Sequence, residues 1–253
     1  LCNGALLAEL TGITVACDFR SLDVAAGGQG APLVPAFHQA LWGSEGNLAV
    51  LNLGGIANLT LLQAGQPATG FDCGPANALL DHWCQQHTGR PFDADGTWAA
   101  QGQIHPPLLQ HMLADAYVQS PPPKSTGRDH FNPAWLQQHL HAHAPLPPAD
   151  VQATLAALTV QAAAQHLQRH APATRQLLVC GGGVRNGHLL RGLAAALPHV
   201  RVQSSAERGV DPQAVEAAAF AWLAGQTVRG QALDVSAITG AAGARVLGCL
   251  YPA

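Results

Sequence analysis

Two apolar runs, each closed by a cluster of glycines, constrain this chain most. Leu48-Ala-Val-Leu-Asn-Leu53 runs into Gly54-Gly55 and on through Ile56-Ala-Asn58. Leu177-Leu-Val-Cys180 runs into Gly181-Gly182-Gly183-Val-Arg185-Asn186. Both runs read as buried strands. The glycines place backbone without side chains at the strand ends, where the phosphates or ring of a ligand can approach closely. Between them, Thr69-Gly-Phe-Asp72-Cys-Gly74-Pro75 carries a carboxylate. Two glycine platforms with an acid between them point to a nucleotide-dependent enzyme more than to a passive scaffold.

The surrounding pattern is α/β with a mixed sheet. Residues 48–53, 57–63 and 68–72 read as a three-stranded meander, with a turn at Gly65-Gln-Pro67. A helix is expected from Pro75 to about Gln86, with proline in its first turn. Irregular chain over 89–107 precedes helices over 107–118 and 132–143, the first stopped by Pro121-Pro-Pro123. Asp150 is placed to cap a helix over 151–170. A strand at 177–180, a helix at 187–197, a strand at 200–203 and a helix from Asp211 to about Gly225 then alternate. Upstream, a helix over 4–11 ends at Gly12, and a strand covers 13–17. A glycine- and proline-rich loop spans 23–35, a short helix spans 36–42, and Gly43-Ser-Glu-Gly46 reads as a hinge.

Composition excludes several function classes. The 253 residues are 48% hydrophobic and 11% charged, which suits a globular core and not disorder. A net charge of −3 argues against broad nucleic-acid binding, which needs a basic footprint. No apolar run is long enough to span a membrane, and no signal peptide is visible. Cys2, Cys17, Cys73, Cys84, Cys180 and Cys249 form no CxxC pair and read as reduced thiols of a cytoplasmic protein. His139, His141 and His143 alternate, but on the expected helix they spread around the surface and do not converge on a metal.

Several residues carry candidate chemistry. Amides around Gly54-Gly55 would form a nest for phosphate oxygens, or simply close a hairpin. Gly181-Gly182-Gly183 would let a base or ribose lie against the backbone ahead of a helix N-terminus, or form a tight turn. Neither is a Walker A loop, which requires Gly-Lys-Ser/Thr. The single lysine, Lys124, lies in Pro123-Lys124-Ser125-Thr126-Gly127-Arg128, which reads as an anion contact, an active-site rim or a solvent loop. Asp72 is placed as a general base or a helix cap. Glu216 is a single acid on an otherwise apolar helix, in need of a partner or a solvent-facing position. Arg20 would grip a substrate carboxylate or pair with Asp18 or Asp23.

At these residues the chain resembles the anhydro-N-acetylmuramic acid kinases, a bacterial sugar-kinase family. The resemblance runs through nearly the whole chain. It is carried by Asp18-Phe-Arg20, Asp23 to Pro35, Asn52-Leu-Gly54-Gly55-Ile-Ala-Asn58 and Gly70-Phe-Asp72-Cys-Gly74-Pro-Ala-Asn77. Pro123 to Arg128, Gly181 to Asn186 and Glu216 to Trp222 carry the rest. It implies an actin-like ATPase (ribonuclease H-like) fold of class α/β with a mixed sheet. Residues 46–253 would be one complete C-terminal domain with a helical insertion at about 89–150, and residues 1–45 a remnant of the N-terminal domain.

The resemblance also implies a reaction. Water opens the 1,6-anhydro bond of the sugar while the γ-phosphate of Mg-ATP moves to O6, giving N-acetylmuramic acid 6-phosphate in cell-wall recycling. Asp72 would be the base that activates the water. Gly54 and Gly55 would serve the phosphates and Gly181, Gly182 and Gly183 the adenosine, with Asn58 and Asn186 also binding ATP. Arg20 and Glu216 would touch the sugar, and Lys124 and Arg128 would be rim or anion contacts. ATP and Mg²⁺ are the expected cofactors, the Mg²⁺ without dedicated protein ligands. A homodimer is among the expectations. Family members open with a Gly-Thr-Ser-type phosphate loop followed by Asp-Gly, and nothing like it occurs here. An N-terminal portion is therefore expected upstream of Leu1, and a chain starting there is expected to be inactive alone. Two alternatives stay open: a non-catalytic actin-like module that binds nucleotide or sugar, and a kinase for another sugar.

Overall fold

The computed structural model describes residues 3–253; the thiol reading of Cys2 lies outside the described residues. The Asn3 side chain caps α1 (Gly4–Thr11), and Gly12 ends it in the left-handed region at φ 64°. β1 (Val15–Cys17) follows. The stretch expected to be a loop instead contains α2 (Ser21–Ala25), and α3 starts early (Val34–Trp42). Asp23 explains the difference. Its fully buried carboxylate accepts the Gly30 amide at 2.8 Å and the Thr239 hydroxyl at 2.7 Å, which folds the glycine-rich segment back on itself.

The main sheet holds β2 (Leu48–Leu53), β3 (Ile56–Leu62), β4 (Thr69–Pro75), β5 (Gln176–Cys180) and β6 (Arg201–Ser204), in the order β4-β3-β2-β5-β6. β2–β3 and β3–β4 are antiparallel, whereas β2–β5 and β5–β6 are parallel, so the sheet is mixed as expected. The continuous apolar runs follow from two-sided burial. Ala49, Leu51 and Leu53 of β2 and Leu177 and Val179 of β5 face one core. Leu48 and Val50, with Leu178 and Cys180, face a second core containing Trp42 and Val215.

Helices α4 (Asn77–Thr88), α5 (Pro106–Leu113), α6 (Ala116–Gln119), α7 (Pro133–His141) and α8 (Pro148–His170) lie between β4 and β5, and α9 (Gly187–Ala196) follows β5. Alanine-rich α8 is the backbone of the first core, burying Val151, Leu155, Leu158 and Leu167 there. Three expectations are corrected. The helix expected from Pro75 starts two residues later, because Gly74 and Pro75 remain paired with Ala57 and Ile56 of β3. The helix expected over 107–118 is two, because the Asp115 carboxylate accepts the amides of Tyr117 and Val118 and starts α6 afresh. Asp150 sits inside α8 and does not cap it; its carboxylate accepts the Gln103 amide at 2.8 Å and ties down the irregular 89–107 segment.

After β6, Asp211 caps a turn by accepting the Gln213 amide, and the helix expected from Asp211 becomes α10 (Val215–Val228). α11 (Ser236–Thr239) and β7 (Cys249–Tyr251) complete the described chain. β7 pairs antiparallel with β1, Val15 opposite Tyr251, over a third core of Phe19, Leu33, Leu223, Val235, Ile238 and Leu247. Among the described residues no helix is long and apolar enough to cross a membrane.

Candidate active site

β2 and β5 are parallel neighbours, with Asn52 opposite Cys180, so their glycine clusters emerge side by side at the carboxyl ends of the strands. Ligands of open α/β sheets bind at such strand ends. A cleft of about 400 Å³ opens there, lined by Arg20, Asn58, Asp72 and Glu216 together with Gly54, Gly55, Gly181 and Gly182. A second cavity of about 380 Å³ shares Gly182 and Gln213 with it and continues past Leu80, Asp81, Phe92, Gly183, Arg185 and Asn186.

Asp72 lies within β4 and caps no helix. Its carboxylate is almost wholly buried, 8% exposed, on the cleft wall. Oδ2 accepts the Ser125 hydroxyl at 3.1 Å and the Thr126 amide at 2.9 Å. Among the described residues, Oδ1 accepts only the Asn58 side-chain amide, at 3.0 Å. A carboxylate has about four acceptor positions over its two oxygens. Oδ2 is filled, and Oδ1 keeps a lone pair. Three neutral donors therefore fix the carboxylate in place on the cleft wall. Asn58, expected among the ATP-binding residues, gives its side-chain amide to Asp72.

The glycines differ in why they are glycine. At Gly181 φ is +79°, and a Cβ there would strike the Asn52 side chain and come within 2.9 Å of the Leu53 carbonyl oxygen. A Cβ on buried Gly183 would lie 2.5 Å from Leu53 Cβ. One on Gly55 would lie 3.0 Å from Arg128 Nε, so that guanidinium covers the β2–β3 turn. Gly181 and Gly183 are fixed by packing; at Gly55 the Arg128 side chain would have to give way. At Gly54 nothing comes nearer than 3.5 Å, and at Gly182 nothing nearer than 3.9 Å, so neither the backbone nor the packing demands glycine at those two. Both face the cleft. The carbonyls of Gly54 and Gly55 accept the amides of Asn77, Ala76 and Ala78 at 3.1 Å, which stitches the turn to the start of α4. The Asn77 side chain adds a bond to the Leu53 carbonyl at 2.8 Å.

The other expected residues divide. Arg20 lines the cleft, donating to the Gly30 carbonyl at 2.6 Å with its guanidinium 5.9 Å from the Phe220 ring, and pairs with neither Asp18 nor Asp23. Glu216, on the first turn of α10, is exposed to the cleft. Desolvation, with the Glu216 charge adding to it, pushes the Cys180 thiol up to about 12. Asn186 lines the second cavity while its side chain caps α9 through the Leu189 amide at 3.2 Å. Lys124 is a correction. It is 6% exposed, and its amine donates to the Tyr117 carbonyl at 2.9 Å and the Val118 carbonyl at 3.1 Å, beside His166 Nε2 at 3.2 Å. An amine so occupied is neither a rim nor an anion contact. Desolvation lowers it to about 8 and lowers His166 to about 4.

Several contributing residues escaped the sequence reading. Ser125 and Thr126 hold Asp72 from 53 and 54 positions away. The Tyr117 hydroxyl donates to the Asp72 carbonyl at 2.9 Å. Asp81, in the second cavity, is a half-buried carboxylate that burial pushes up to about 6 while the Arg128 charge pulls it back. The two hydroxyls after Lys124 were the one local signal; nothing in the sequence says what they face.

A model of the family described as "Anhydro-N-acetylmuramic acid kinase" matches residues 1–253. The anhydro-N-acetylmuramic acid kinase of Variovorax paradoxus (strain S110) is 57% identical over 99% of this chain, which covers 68% of that protein. The enzyme of that name from Xanthomonas campestris pv. campestris (strain 8004) is 58% identical over 99% of this chain and 67% of its own length. Among solved structures, xylulose kinase from Rhodospirillum rubrum is similar at TM-score 0.47 and 14% identity, over 76% of this chain and 40% of that one. The activator of the 2-hydroxyisocaproyl-CoA dehydratase from Clostridium difficile is similar at TM-score 0.45 and 14% identity, over 77% and 68%. With the family pattern met from the first residue to the last, this chain belongs to the anhydro-N-acetylmuramic acid kinase family.

Proposed function

We propose that the cleft binds ATP and 1,6-anhydro-N-acetylmuramic acid and couples hydrolytic opening of the sugar to phosphorylation. Water adds to C1, the C1–O6 bond breaks, and O6 takes the γ-phosphoryl group of ATP, leaving ADP and N-acetylmuramic acid 6-phosphate. The proton lost by the water passes to Asp72 Oδ1. The observation that carries this reading is the asymmetry of that carboxylate: Oδ2 accepts two donors and Oδ1 one, on the wall of the cleft. A fixed carboxylate with one open acceptor position suits general-base work on water.

Phosphoryl transfer needs positioning and charge neutralisation more than covalent chemistry. We assign the phosphates to the amides of Gly54 and Gly55, with Arg128 above the turn, and the adenosine to the cavity beyond Gly182, where Gly183 and Asn186 lie. Arg20 would meet the lactyl carboxylate of the sugar and Glu216 its hydroxyls. Among the described residues no three His, Cys, Asp or Glu side chains converge on a metal position. Mg²⁺ would arrive with ATP, held by the nucleotide's phosphates and water. When bound, the ion would neutralise charge on the transferring group. We place the enzyme in the cytoplasm, as a homodimer.

The test is to incubate the whole gene product with Mg-ATP and either the anhydro sugar or ordinary hexoses and glycerol, following ADP release. ADP and sugar 6-phosphate in equal amounts from the anhydro sugar are expected. Turnover confined to ordinary sugars would move the enzyme to another kinase class, and binding of nucleotide without turnover would leave a binding module.

A further inference from the structure

The chain's single lysine is buried behind the cleft, against the rings of Tyr117 at 4.7 Å and Phe71 at 5.9 Å, with no carboxylate in an ion pair with it among the described residues. Burying an ammonium this way is costly, and an apolar side chain would fill the niche at lower cost. What the lysine adds is a tie. Its amine joins residue 124 to the carbonyls of Tyr117 and Val118 at the end of α6.

The two segments joined by that amine are those that grip Asp72. The Tyr117 hydroxyl donates to the Asp72 carbonyl at 2.9 Å, and the Asp72 amide donates to the Lys124 carbonyl at a long 3.4 Å. Ser125 Oγ and the Thr126 amide then hold Oδ2 at 3.1 and 2.9 Å. β4 is the edge strand of the sheet, and the main chain of Asp72 is held there by the Tyr117 hydroxyl and the Lys124 carbonyl. Building on the reading of Asp72 as the base, we propose that Lys124 is a positioning residue. Its amine closes a bracket made of residues 117–118 and 124–126 around Asp72 and keeps Oδ1 aimed into the cleft.

The test compares Lys124→Met, Ser125→Ala and the double variant in the whole gene product, with turnover counted per nucleotide-binding site. A misplacement of about 1 Å at a reacting group costs on the order of 100-fold in rate. Lys124→Met should therefore lower kcat about ten- to a hundredfold, with KM for ATP changed less than about twofold. Because both substitutions slacken one bracket, the double variant should fall within about threefold of Lys124→Met alone. If Lys124→Met does not fold, Lys124→Gln keeps donors on a shorter stem. It should show a smaller loss of kcat and the same non-additivity with Ser125→Ala. Unchanged kcat per binding site in a folded Lys124 variant, or losses that multiply in the double variant, would overturn the proposal. A parallel Asp72→Asn variant separates the two ideas. If it is inactive while Lys124→Met turns over normally, the bracket alone fails; if it turns over, the base assignment fails.

Discussion

Gly182→Ala gives the sharpest test of how the glycine platform works. The nearest atom to an added Cβ is Asn77 Nδ2 at 3.9 Å, an ordinary contact, and residue 182 is exposed with no left-handed backbone to strain. A glycine-to-alanine change at a compatible position stabilises a protein by about 0.4–1 kcal/mol through the unfolded chain. For a domain of this size that is a rise in Tm of roughly 1–4 °C. Gly182 lines both cavities, so the methyl group adds bulk where the proposed nucleotide passes. Intruding into a packed contact costs about 1–3 kcal/mol, or roughly five- to 150-fold in ATP affinity. Gly183→Ala is the counterpart. Its Cβ would lie 2.5 Å from Leu53 Cβ in the buried turn, so the cost falls on folding, a drop of about 3–10 °C in Tm. Thermal melts without nucleotide, paired with calorimetric ATP titrations, separate the two. Normal ATP affinity in Gly182→Ala, or loss of its fold, would refute the assignment of an open, ligand-facing glycine.

Other outcomes follow from the same geometry. Asp81 carries a pKa raised to about 6 by burial, so between about pH 4 and 6 the folded chain binds more protons than the unfolded one. Its contribution to stability therefore rises as pH falls through 6. Asp81→Asn should remove that slope and raise stability at pH 7.5 by about 1–2 kcal/mol, allowing for partial exposure, as read by urea melts across pH. A slope that survives in Asp81→Asn would assign it to another group. Asp23→Ala should leave the buried Gly30 amide without its acceptor, at about 1–3 kcal/mol, while the Thr239 hydroxyl keeps the Val235 carbonyl at 3.2 Å. It should also loosen Ala31, Pro32 and Leu33 along the cleft, so a lower Tm with a raised KM for the sugar is expected.

What was legible in the sequence was what local pattern controls. β2 and β5 stood out because two-sided burial demands unbroken apolar runs, and the glycine clusters marked where those runs stop. Asp72 stood out because it sits between them. Contacts between distant segments were not legible. Lys124 reads as a basic loop residue until α6 ends beside it and supplies two carbonyls. Ser125 and Thr126 gain their role only once residues 124–126 lie beside Asp72 on β4. Asp150 looks like a cap and is instead a tie to Gln103, 47 positions away. The three-residue β7 is too short for a periodic pattern, and its pairing with the expected strand β1 joins segments more than 230 positions apart.

The most direct test of the account is turnover by Asp72→Asn. The substitution keeps shape and keeps an oxygen acceptor for Ser125 or Thr126, but removes the basic lone pair that Oδ1 offers to water. With the whole gene product, Mg-ATP and 1,6-anhydro-N-acetylmuramic acid, the wild type should form one sugar 6-phosphate per ADP. Asp72→Asn should fold, bind ATP with unchanged affinity and form neither product at a measurable rate. Sugar 6-phosphate formed at near the wild-type rate would contradict the account, because the water would then be activated elsewhere.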